Sequence, residues 1–123
     1  MKTLKILAPL LFLGFLLSSG IVKEDILGKW ILVKMVNKNG NQENLNNTKG
    51  AYLDFKTDGV LEMGEGTKSP QLGEWDYNPE NKKLYVSEKP ERQDEVIVKK
   101  LTKKKLKLYL VRRKRTIHLV RAN

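Results

Sequence analysis

Beyond residue 28 the chain alternates apolar and polar positions with a period of about two, the mark of strands that bury one face. Residues 30–36 form a β-rich run, closed by the turn-forming Asn37, Lys38, Asn39 and Gly40. In 51–55, Leu53 and Phe55 share one face while Tyr52 and Asp54 share the other. Asp58 and Gly59 then sit between apolar runs, a strong hairpin signal, and 60–63 pairs back. Further strands are predicted over 72–77, 83–87, 95–99, 105–110 and 115–120, and the Lys-Leu alternation of 105–110 is the cleanest of all. Eight short strands joined by tight turns predict an all-β, antiparallel up-and-down meander. Eight is also the number that closes a barrel whose interior holds either side chains or one small ligand. Residues 21–27 have room for one helical turn ahead of the first strand.

The first twenty residues follow a different pattern. Lys2 and Lys5 precede twelve uncharged residues over 6–17, and Ser18, Ser19 and Gly20 follow. A charged start, a short apolar run and a small-residue exit predict a helical secretory signal over 1–20, cleaved before Ile21. The alternative is a retained anchor, because the uncharged stretch reaches Val22 and so meets the lower edge of the roughly 17–25 residues that span a bilayer. Leu17-Ser18-Ser19-Gly20 resembles a bacterial lipoprotein cleavage box, with Gly20 where the lipidated cysteine must stand. The chain has no cysteine, which removes lipidation, disulfides, thiolate metal sites and thiol catalysis together. The expectation is an exported protein, periplasmic or secreted, whose residues 21–123 form one domain able to build a core without staples.

Several local motifs then fall in a recognisable order. Gly28-Lys29-Trp30 opens the first strand, and Phe55 precedes the Asp58-Gly59 hairpin. A second Gly-x-Trp follows as Gly73-Glu74-Trp75, then a Leu101-Thr102 turn, an alternating Leu strand and a last strand ending in Arg121. In that order the chain resembles the lipocalins, and in particular the small bacterial lipocalin-like domains, over residues 26–121. It departs from them in being short, in lacking a helix after the last strand and in lacking cysteine. The resemblance implies that Gly28 and Trp30 close one end of the barrel, with a basic residue of the last strand over the indole. Arg121 is the first match and Arg115 the second. It also implies binding of a small apolar or amphipathic molecule inside the barrel.

Strand parity selects the residues facing that interior: Leu53, Phe55, Leu61, Met63, Trp75, Tyr77, Leu84, Val86, Val96, Val98, Leu106, Leu108 and Leu110. They either line a ligand pocket or fill a solid core, since eight strands permit both. Trp75, Tyr77 and Tyr85 offer polar tips to a ligand or to one another. Uninterrupted parity from Trp30 also turns Lys34 inward, toward a ligand carboxylate or out to solvent along its own stem.

Charge changes the picture at the C-terminal end. The total is +10, and from Lys99 onward there are eleven Lys or Arg and no acid. Lys103, Lys105, Lys107 and Arg113 share the parity opposite to the Leu106-Leu108-Leu110 face and are expected to point outward. They form either a solvated face that deters edge aggregation or a basic surface for anionic lipid or polysaccharide. Nucleic acid is not an expected partner for an exported chain. No cofactor or metal is expected, since no His cluster or acidic loop has ligand spacing. His118 is the sole histidine and has no acid beside it, and there is no Gly-x-Ser-x-Gly and no phosphate-binding loop. A non-enzymatic protein is expected.

Overall fold

The computed structural model describes residues 21–45, 50–66, 68–89 and 92–122. The signal expected over 1–20 lies outside the described residues. A single helical turn, α1 (Lys23–Ile26), leads into eight strands: β1 (Gly28–Val36), β2 (Tyr52–Phe55), β3 (Val60–Gly64), β4 (Gln71–Asn78), β5 (Lys83–Lys89), β6 (Arg92–Leu101), β7 (Lys105–Leu110) and β8 (Arg115–Arg121). Each strand pairs antiparallel with the next, and β8 returns to pair with β1, closing the barrel. This is the predicted meander, strand for strand.

Local chemistry fixes the turns. Asp58 accepts from the Val60 amide at 3.1 Å while Gly59 takes φ +84° between β2 and β3. Thr102 Oγ1 accepts from the Lys104 and Lys105 amides at 3.3 and 3.0 Å between β6 and β7. Gly73 allows close backbone approach: a Cβ there would collide with the Ser87 carbonyl of β5.

The period-two pattern holds within strands but is reset by bulges. In β1 the register with β8 shifts between Leu32 and Lys34. Val33 is the extra residue. Lys34 is therefore exposed beside His118, and Met35 instead packs against the core. The inward Lys34 expected from unbroken parity is thus corrected. A second shift, between Val98 and Lys100, does the same to β6, turning Lys100 outward opposite Lys107 and Leu101 inward opposite Leu106.

The core is densest at the end where β1 begins. Ile26, Trp30 and Leu84 are fully buried, and Phe55, Leu61, Leu106, Leu108 and Leu119 are nearly so. α1 lies across this end, its first turn held by the Val22 amide donating to the Asp25 carboxylate at 3.1 Å. No helix among the described residues is long and apolar enough to cross a membrane.

Candidate functional site

The inward side chains come in tiers, because successive inward residues on a strand lie about 7 Å apart along it. The lower tier at the closed end is filled. Trp30 donates from Nε1 to the Ile26 carbonyl at 2.9 Å. The Arg121 guanidinium lies over the indole, 4.0 Å from its ring centroid. It also donates to the carbonyls of Leu27 at 2.7 Å, Lys103 at 2.8 Å and Asp25 at 3.1 Å. Gly28 sits at φ +116°, and a Cβ there would stand 2.7 Å from Arg121 Nη1, so both conformation and space require glycine. These are the residues the resemblance assigns to closing the barrel; Arg115 instead pairs with Glu43 at 2.8 Å.

Four of the residues expected to line a pocket belong to this filled region: Trp75, Tyr77, Val98 and Leu106, all buried away from the cavity described next. Parity shows which way a side chain points but not how deep along the barrel it sits. Trp75 packs edge-on to Phe55 with centroids 5.1 Å apart and gives its Nε1 proton to the Lys56 carbonyl at 3.0 Å. The Tyr77 hydroxyl is buried without a hydrogen-bond partner among the described residues, and burial, with the nearby Asp25 charge, pushes its pKa above the ordinary phenol value. Tyr85 accepts from Asn81 at 3.0 Å near the surface. None of these tips is offered to the interior space.

Above the filled tier lies a cavity of about 230 Å³. Phe55, Leu61, Leu84, Val96 and Leu108 are its buried lower lining, and Leu53, Met63, Val86 and Leu110 are its half-buried walls. Nine of the thirteen residues expected to face the interior therefore line it. Ile117 also lines it. Strand parity places Ile117 with Leu119 and could have found it.

The mouth is where polar groups appear: Glu88, Asp94, Glu95, Arg112 and Arg113, with Glu95 paired to Lys83 at 3.0 Å. Asp94 occupies the inward parity of β6 above Val96, and Arg112 from the β7–β8 turn reaches across to it with bonds of 2.8 and 3.3 Å. Glu88 accepts from Gln71 at 3.4 Å. Arg113 was expected on the outer face with Lys105 and Lys107. It sits at the mouth because residues 111–114 form a turn, where strand parity no longer applies. Lys103 likewise lies in the β6–β7 turn, beside Arg121, rather than on the β7 face. Lys105 and Lys107 do stand on the outer face of β7, opposite Val120 and His118.

His118 points outward and is half-buried. Burial, with the charges of Lys107 and Lys34, holds its pKa below the ordinary histidine value. No group of three or more His, Asp or Glu suited to a metal occurs among the described residues.

With that geometry set, comparison places the chain. Residues 26–108 match the sequence profile of a family described as the lipocalin-like domain. Among solved structures, the chain is similar to a lipocalin-like protein from Bacteroides uniformis, with a TM-score of 0.64 and 14% identity over 80% of this chain and 99% of that one. At that identity the likeness concerns the fold. No curated protein matches the sequence significantly.

Proposed function

The chain belongs to the lipocalin-like domain family, and from that premise we propose that it is a non-catalytic binding protein for a small apolar or amphipathic molecule. One observation carries this reading: an apolar cavity of about 230 Å³ whose charged residues are gathered at the mouth. The volume exceeds the roughly 150 Å³ that admits benzene and falls below the roughly 300–1,000 Å³ of drug-sized sites. The occupant is accordingly small, or inserts only a short apolar end. Its apolar part rests against Leu84 and Leu108, and its polar end meets Arg112 and Arg113. Burial contributes about 25 cal/mol per Å² before the costs of association. The leader of residues 1–20, read as cleaved, makes the setting extracytoplasmic.

The test is native mass spectrometry of protein purified from its own host, with fluorescence of Trp75 as a second readout. Trp75 touches Phe55, which lines the cavity, and so senses occupancy. A retained small molecule, lost in Leu110→Phe, is the expected result. A wild-type protein with no retained mass and no saturable quenching by short-chain fatty acids overturns the reading.

A further inference from the structure

A row of lysines without acid partners among the described residues lies on the outside of the barrel, along β8. Register sets Lys34 of β1 and Lys107 of β7 on either side of His118, and Lys100 of β6 beyond Lys107. Two of these lysines are there only because of bulges: the register shifts after Leu32 and after Val98 each turn an otherwise inward lysine outward. Like charges brought opposite one another across strands destabilise a sheet. Five cations elsewhere on the barrel, Lys23, Lys56, Lys83, Arg112 and Arg115, pair with acids. Lys34, Lys100, Lys105 and Lys107 have no ion pair among the described residues, and neither β1 nor the chain from Lys99 onward contains an acid. The fold therefore concentrates charge here at a cost to itself.

The surface is shaped as well as charged. Two shallow depressions, of about 370 and 310 Å³, both include Lys34, Lys107 and His118. One runs on past Thr116 and Gln42, the other past Lys105 and Lys100. Joined, they form a trough along β8 with lysines on both banks, hydrogen-bonding groups at Gln42, Thr116 and His118, and an apolar stretch at Val33 and Val120.

We propose that this trough binds a segment of acidic polysaccharide, with Lys34, Lys100, Lys105 and Lys107 meeting its carboxylate or sulfate groups and Thr116, His118 and Gln42 meeting its hydroxyls. The shape decides against other polyanions. A closed barrel offers no free edge for an acidic peptide to extend. Among the described residues no Phe, Tyr or Trp lines the trough, so bases have nothing to stack on. A flat lipid surface reaches the banks but not the half-buried imidazole between them. The site is independent of the internal cavity.

The experiment uses a heparin-derived octasaccharide as probe, with vesicles containing anionic lipid and a single-stranded oligonucleotide as competitors. Wild type binds the octasaccharide in low salt and releases it in high salt. Lys34→Gln with Lys107→Gln weakens binding roughly ten- to thirtyfold. Lys56→Gln with Lys83→Gln, on other faces, leaves it unchanged, as does Leu110→Phe. Binding also raises the His118 titration midpoint, read by NMR, because an anion offsets the neighbouring lysines. Matching urea midpoints for the variants separate lost binding from lost fold. The proposal is overturned if wild type does not bind the octasaccharide, if the two double variants bind it equally, or if vesicles or oligonucleotide bind more tightly.

Discussion

The two ends of this barrel are built from the same alternating pattern and come out differently. At the closed end the inward residues are Trp30, Trp75, Tyr77 and Leu106, with Ile26 of α1 inserted among them, and the Trp30 indole is fully buried. At the open end the inward residues are Leu53, Met63, Val86 and Leu110; they stay half-buried, and a cavity persists between them. Two things produce the difference. The closed end receives larger rings, and a segment of chain crosses it and is tied down by Arg121. At the open end the turns contribute charged side chains, which stay near water rather than filling the interior.

Truncation at each end should therefore have unequal consequences. Trp30→Ala removes a fully buried ring, its bond to Ile26 and its contact with Arg121, and should cost about 3–5 kcal/mol in urea unfolding. Leu110→Ala deletes a half-buried wall beside an existing cavity, and should cost less than about 2 kcal/mol, below the range for fully buried leucines. Equal losses would mean that the hollow end is as tightly packed as the filled one.

The wall between the ends supplies a control that depends on pH. The folded state holds the His118 pKa below its ordinary value, so the unfolded chain binds more protons as pH falls. Stability carried by neutral His118 is thus complete above the ordinary histidine value of about 6.5 and is lost as pH falls through the lower folded value. Urea midpoints of wild type should drop across that window, and His118→Gln should flatten the drop. A wild-type profile unchanged by the substitution would place the acid-sensitive groups elsewhere.

Periodicity made the barrel legible, because a period of two over eight runs leaves few other folds. It also identified most of the cavity lining, since parity sets direction. It did not give depth, which is why Trp75, Tyr77, Val98 and Leu106 were placed in a pocket they do not line. Nor did it foresee the bulges at Val33 and after Val98, which depend on how neighbouring strands match in length and twist. Those bulges reversed Lys34 and brought Lys100 to the outer row. Arg113 and Lys103 were misplaced for a related reason: strand parity was extended into turns. The Arg112–Asp94 pair joins residues 18 apart in sequence and follows no local pattern.

Two arginines, one at each end, give the finest form of the comparison. Arg121 is laid over a buried indole and donates to three carbonyls, so Arg121→Met strands acceptors that α1 and its flanks rely on. The Asp25 and Lys103 carbonyls are exposed and can turn to water, so the cost comes from the part-buried Leu27 carbonyl, about 1–3 kcal/mol, and from the lost cation–π contact, about 0.5–2 kcal/mol. Arg121→Lys keeps the charge but loses the planar fork, and should recover little of this. Arg112 makes its own two bonds to Asp94, but from a side chain about half exposed. Arg112→Met should cost no more than about 1 kcal/mol, and high salt should erase even that difference. Its larger effect belongs to the mouth, where removing the pair widens the way into the cavity and should speed release of a bound probe in stopped-flow fluorescence. If Arg112→Met destabilises the fold as much as Arg121→Met, the rim pair is structural and the open end is not free to serve as an entrance.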